Sequence, residues 1–303
     1  MDTALMLRIA SEKNQHLENN EISSLLSESV LVRKLTTDFV DHPLGAVFRI
    51  MGLSEIPHIE RLPYTQKMID YINRNIATKQ GFSCLGGFEE IVPCYNAMLL
   101  EAYCRLGLAE SKEAQAALSW IEQYQLFERN QTTSWPHKGV CKHGGCLGKT
   151  PCYIGIGKTV RALTTYSECV KHENQNVEKL LIQGTGYMLR HKMFQRLSDG
   201  KPISSHITDI MFPQSYALSL TDLTYIVGKR QLMASEDSSE LLHLLQEKQI
   251  AENQWKIDYL YSYKGYVAFE SKRKPSEWVS ALFPIWLSKS MWPQTIRMAM
   301  LTT

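Results

Sequence analysis

An excess of charge of either sign is what this chain of 303 residues most plainly lacks. Its 33 basic and 31 acidic residues leave a formal net charge of +2. No basic stripe of the kind that tracks a phosphate backbone follows from that balance, and no nucleic-acid partner is expected. The local run Lys272-Arg273-Lys274 reads as a solvated loop. Long apolar runs are missing as well. The richest, at 278–287, falls well short of the roughly 18 residues a bilayer crossing needs and contains Pro284. No transmembrane segment is expected. The first residues turn charged at Arg8, Glu12 and Lys13, without the n-region and h-region of a secretory leader. The expectation is therefore a cytoplasmic protein whose seven cysteines are reduced, and their odd number also argues against a closed disulfide framework. Strand-like alternation is nearly absent too; its best stretch is 255–267, which could turn back at Tyr263-Lys264-Gly265.

What is present is helical spacing throughout. Apolar residues recur every three or four positions in 4–10, 22–35, 44–53 and 64–79, with a polar link at 13–21 and a break at Asp41-His42-Pro43. From there the pattern repeats. Pro93-Cys94-Tyr95 opens a helix to Leu106-Gly107, and a second helix at 114–125 follows the N-cap residue Ser111. Fifty-eight residues on, Pro151-Cys152-Tyr153 opens another, with a partner at 177–191. A third unit is expected to open at Phe212-Pro213, its second helix capped around Asp237–Glu240. A fourth is expected at Pro275-Ser276-Glu277-Trp278, and His42-Pro43 supplies an earlier start. Proline suits the first helical turn, where no intrahelical N–H bond is lost. Five starts at intervals of about 50 to 63 residues predict stacked helical hairpins that cannot bury their apolar faces alone.

The stretch Lys248-Gln249-Ile250-Ala251-Glu252-Asn253-Gln254-Trp255 resembles the Q-x-x-x-G-x-W repeat signature of the squalene-cyclase and protein-prenyltransferase superfamily, with Asn253 at the usual glycine. Gln80-Gly81-Phe82 with Leu85-Gly86-Gly87 is a looser copy. The glycine pairs Gly86-Gly87 and Gly144-Gly145 ahead of the Pro-Cys-Tyr helix starts resemble its inner-helix entrances. The span Gly145-Cys146-Leu147-Gly148 to Tyr153, with Pro275–Val279, resembles uncharacterised stand-alone bacterial members. This likeness covers roughly residues 60 to 290. It implies an all-α fold, an α/α toroid of about five helical hairpins over 41–303 with an N-terminal helical extension over 1–40, in one domain. It assigns Gln249 and Trp255 as repeat staples. It also implies a hydrophobic, isoprenoid-type small molecule in a central cavity, with Tyr95, Tyr153 and Tyr216 on inner helices and Trp135 nearby as lining.

Chemistry is thinly supplied. The acid-initiated cyclases use a D-x-D-D motif that this chain lacks; Asp209 and Asp222 stand isolated and Glu89-Glu90 are merely adjacent. Of the prenyltransferase zinc ligands only Cys152 has a counterpart, since Thr150 and Gln214 stand at the other two positions. A local set, Cys141, His143, Cys146 and Cys152, offers the soft donors that Zn²⁺ takes tetrahedrally. Catalysis is not assigned; Cys152, His143 and Asp209 are the candidates for it. Cys152 at a helix N-terminus would be activated if exposed. The Gly155-Ile156-Gly157-Lys158-Thr159 run fails as a phosphate loop, because no strand precedes it and its first glycine is replaced by Cys152. Two other readings remain open: a non-catalytic helical scaffold for a peptide or protein, and a metal-dependent α/α-barrel hydrolase or transferase with facing acids drawn from Glu89, Glu90, Asp209 and Asp222.

Overall fold

A computed structural model describes residues 1–84, 87–137 and 146–288. Among them the protein is all-α, with twelve helices and only isolated β-bridges. In chain order the helices are α1 (Thr3–Glu12), α2 (Asn19–Glu28), α3 (Val30–Thr36), α4 (Pro43–Ser54), α5 (Pro63–Asn75) and α6 (Pro93–Arg105). They continue as α7 (Lys112–Tyr124), α8 (Tyr153–Cys169), α9 (Gln175–Arg190), α10 (Leu220–Lys229), α11 (Ser239–Glu247) and α12 (Glu277–Trp286). No helix among the described residues is long and apolar enough to cross a membrane.

Burial sorts these helices into two kinds. Along α4, α6, α8 and α10 nearly every residue is buried, on all sides. Their partners α5, α7 and α9 bury one stripe each, such as Ala114, Ala117, Leu118 and Ile121 of α7. An apolar perimeter marks a helix surrounded by others, and a single stripe marks one facing solvent. The packing agrees. Helix α5 lies on α4, α7 on α6 and α9 on α8, while α4, α6, α8, α10 and α12 touch in succession. From α12 the contacts return through α1 and α3 to α4, so the neighbours form a closed cycle. One apolar cluster runs from Ala4 to Trp286, and the first forty residues are part of it.

Local chemistry starts the helices where the sequence suggested, with two exceptions. His42 accepts from the Gly45 amide and Ser276 from the Val279 amide, with Pro43 opening α4 and Pro93 opening α6. The third unit departs from expectation: its helix begins at Leu220, well after Phe212-Pro213. A reciprocal capping box of Ser219 and Asp222 sets that start, while Phe212 is held in the loop against Trp278 and Phe269. The cap expected around Asp237–Glu240 is also absent; a short 3-10 turn leads into α11, and Ser238 makes no capping bond. Trp255 does act as a staple. Its indole donates to the Leu245 carbonyl at 2.8 Å, and its backbone joins Ser276 and Ser280 at the start of α12.

The stretch 255–267 is not a hairpin. It runs as an irregular segment, joined to the loop before α10 by Asp258 and Ile210, which exchange two hydrogen bonds. Gly265 seats it on α4: at φ +84 its backbone lies so close to Gly45 that a Cβ would meet the Gly45 carbonyl oxygen at 2.0 Å. Arg49 then locks the contact by donating to the Gly265 carbonyl and to those of Leu35 and Asp38. Gly265→Ala is expected to cost about 2–4 kcal/mol, read as a lowered urea midpoint, since it combines a left-handed φ with a backbone clash. Gly107→Ala, at φ +74 with no neighbouring atom, should cost only about 1 kcal/mol. Equal losses in the two variants would contradict the close seating of this segment.

Candidate functional site

The fully surrounded helices carry charges that an apolar core would exclude. Arg161, on α8, is 1% exposed and reaches three carboxylates: Nε lies 3.0 Å from both oxygens of Glu101, Nη1 2.9 Å from Asp222, and Nη2 3.3 Å from Glu55. One turn earlier, Lys158 donates to both Asp222 oxygens and to Gln214. Gln214 in turn donates to Glu101. Arg105, on α6, pairs with Glu101, and Arg8, on α1, binds both Glu55 and Glu12. Lys229, at the end of α10, bridges Glu12 at 2.9 Å and Glu168 at 3.0 Å. The Tyr225 ring lies under Arg161, 4.7 Å from its guanidinium carbon, a cation–π contact inside the same cluster.

The cations Arg8, Arg105, Lys158, Arg161 and Lys229 thus face the anions Glu12, Glu55, Glu101, Glu168 and Asp222, five against five. That balance matters because a net charge taken out of water is costly unless paired. Burial alone would push the Glu101 carboxyl up. Arg161, Arg105 and the Gln214 hydrogen bond outweigh it and hold Glu101 at about 2. Glu12 is likewise raised by burial and brought down to about 2 by Arg8, Lys229 and Arg105. Burial depresses the Lys158 ammonium, against the pull of Asp222.

The cluster opens at one end into a cavity of about 440 Å³ lined by Arg8, Glu12, Arg105, Thr165, Glu168 and Lys229, with Cys104 and Cys169 beside them. These residues sit in the C-terminal halves of α1, α6, α8 and α10, and Ser54 adds the end of α4. The ends of these helices gather there, so they run in one direction around the cluster.

The opposite end, near the N-termini of α6 and α8, gathers aromatic rings and thiols. Tyr95 stacks on Tyr216 with centroids 5.7 Å apart, and Phe48 of α4 touches Tyr95, Tyr261, Tyr263 and Tyr266. Cys94 lies fully buried beside Cys146 and Cys152, whose charges would raise it further after burial itself. Cys152 is the N-cap residue of α8, and its amide donates to the Cys146 carbonyl. A hydrogen bond with the Cys146 thiol, and then burial, push the Cys152 thiol well up, so it is a protonated thiol at neutral pH, not an activated nucleophile.

The structure brings together Tyr95, Tyr216, Cys146 and Cys152 of the residues singled out from sequence. Tyr153 points elsewhere: its hydroxyl donates to the Met193 carbonyl and its ring lies against Tyr187 and His191. Trp135 is buried against Trp120 and Tyr124 of α7. Asp209 accepts a hydrogen bond from His206 Nδ1 at 2.8 Å. Cys141 and His143 lie outside the described residues. Among those described, no three histidine, cysteine or acidic side chains are placed to hold a metal ion. Cys146 and Cys152 are two of the four donors expected to hold zinc, and the other two are the residues outside the described ones. Asp222, isolated in sequence, is a central member of the ionic cluster, where its partners are cations and not a second acid placed for hydrolysis. Glu55, Glu101, Arg105, Arg161 and Lys158 had no motif to mark them. Their signal was a charge set inside an apolar stretch, as Glu101 is between Leu100 and Ala102.

Compared with known proteins, the chain matches no family model and no curated protein sequence.

Two measurements test the cluster. Glu12 and Glu101 fall from the usual 4.5 to about 2 on folding. The unfolded chain therefore binds more protons between those values, and stability that is complete above about pH 4.5 is lost as pH falls toward 2. The loss is on the order of 3 kcal/mol for each group. Urea titrations across that range should show a flat plateau and then a steep fall; constant stability down to about pH 2 would contradict it. Arg161→Met takes a shared cationic partner from three buried carboxylates and is expected to cost about 3–5 kcal/mol. A loss under about 1 kcal/mol would mean that those carboxylates do not depend on it.

Proposed function

We propose that this is a helical ring protein of the prenyltransferase and squalene-cyclase type that binds an apolar, isoprenoid-like small molecule, and that it does so at the aromatic end of the ring. The cyclic order of helix contacts supports the ring. The ligand's place differs from the sequence-based expectation, because the middle of the helix cycle is occupied by ion pairs, which an apolar molecule would have to strip of their partners.

One observation carries this reading. Tyr95, Tyr261 and Tyr263 converge on Phe48 from a helix start and a loop, Tyr216 of a second loop stacks on Tyr95, and the four hydroxyls hydrogen-bond to no described residue. Tyr216 and Tyr263 remain 38% and 40% exposed. Rings held by packing, two of them partly exposed, with hydroxyls unpaired among the described residues, suit an unsaturated hydrocarbon chain that ends in one polar group. Cys146 and Cys152 border this surface, and the raised Cys152 thiol favours a packing role over attack on a ligand.

Farnesol, titrated into the protein while tyrosine fluorescence is followed, should quench the aromatic signal saturably. Tyr216→Ala, at an exposed loop position, should weaken binding about tenfold, equivalent to about 1.4 kcal/mol, and leave the urea midpoint unchanged. Saturable binding untouched by Tyr216→Ala would place the ligand elsewhere, and no binding at all would remove the proposal.

A further inference from the structure

The cavity at the other end of the ionic cluster has no part in that reading, and its lining is unlike that of the aromatic end. From the charges on its walls we infer that it binds a small zwitterion carrying a carboxylate and an ammonium, of the size of a free amino acid or a dipeptide.

The carboxylate is assigned to the arginines. Arg8 is 2% exposed, yet its Nη2 is buried without a hydrogen bond of good geometry, although it stands 2.9 Å from Glu12. Arg105 directs Nε and Nη2 at Glu101, its Nη2 likewise lacking a well-aligned bond, and its Nη1 hydrogen-bonds to no described residue. Both arginines line the cavity; Nη2 of each is enclosed and faces a carboxylate oxygen at 2.9 Å, so the donor left to the wall is Arg105 Nη1. A charge-assisted hydrogen bond from that guanidinium suits a carboxylate. The ammonium is assigned to Glu168. This carboxylate is held from one side by Lys229 at 3.0 Å and by the Tyr225 hydroxyl at 3.2 Å, and it is 44% exposed, which leaves acceptor positions open. The ends of α1, α6, α8 and α10, which meet here, add the negative ends of their helix dipoles.

The requirement for both charges in one molecule follows from the cluster's balance. Its cations and carboxylates cancel once the partly exposed Glu168 is counted, and a zwitterion preserves that cancellation, whereas a lone anion or a lone cation would leave the set charged. The cavity, at about 440 Å³, has room for an amino acid or dipeptide.

The test is a calorimetric titration of the full chain with a panel of free α-amino acids and dipeptides. Each is paired with its N-acetyl form, which lacks the ammonium, and its amide, which lacks the carboxylate. At least one zwitterion is expected to bind at least tenfold more tightly than both of its blocked forms. Glu168→Gln, at a partly exposed position, should weaken the zwitterion about tenfold and leave the N-acetyl form unchanged, erasing the preference between them. No binding by any member of the panel, equal binding of the blocked forms, or a preference that survives Glu168→Gln would each overturn the assignment. Farnesol quenching measured on the same variant keeps the two sites distinguishable, since Glu168→Gln should leave it unaltered.

Discussion

A single guanidinium holds the inner helices in register. Arg161 offers five N–H groups in a rigid fork, and it aims them at Glu101 on α6, Asp222 on α10 and Glu55 just past α4. Four consecutive hairpins therefore meet through one side chain of α8. Apolar surfaces alone would tolerate a slide of one helix along another, since burial has no direction. A fork with three carboxylate partners does not tolerate it, because each shift strips a buried charge of its counter-ion. Lys158 strengthens the same choice by taking both oxygens of Asp222, whose other task is to cap α10 together with Ser219. The start of α10 and the centre of the cluster are thus fixed by one carboxylate.

That economy explains which parts of the protein were legible beforehand. Helix class and most helix starts could be read because they depend on neighbours in sequence: proline in the first turn, serine three residues ahead of a free amide, apolar residues every third or fourth position. The start of α10 could not be read from its proline, since Pro213 belongs to a loop pinned by Phe212 against residues sixty positions away, Phe269 and Trp278. The segment 255–267 misled for a similar reason. Its alternation suggested strand, but Tyr261, Tyr263 and Tyr266 face Phe48 on α4, a tertiary partner that no local pattern announces.

The candidate site was legible only where residue type limits the options. Tyr95 and Tyr216 were found because aromatic side chains at repeat starts are conspicuous, and they do stack. Tyr153 occupies the equivalent repeat position and yet turns outward to α9, because Tyr187 and His191 offer it a buried partner and Met193 a carbonyl. Equivalence in sequence therefore did not carry equivalence in direction. The ionic cluster was missed because each of its charges, taken alone, resembles an ordinary surface residue. Only the company of buried neighbours on every side of α6 and α8 gives Glu101 and Arg161 away.

The polarity of the helix cycle follows from the shared direction of α1, α6, α8 and α10. Helices that run the same way put all their amide-rich starts at one end and all their carbonyl-rich ends at the other. The starts of α6 and α8 carry small thiols and rings, and their ends carry Arg105 and Glu168, with Lys229 ending α10. Between them the ion pairs close the passage, so that a molecule bound among the tyrosines and one bound beside Glu168 would never touch. Influence of one on the other has a route through Glu101, which meets both Arg105 and Gln214. A ligand that draws on Arg105 would loosen its hold on Glu101, and Glu101 is shared with Arg161 and Gln214, which lies two residues before Tyr216. The physical route between the two ends is therefore short, and it is made of charge.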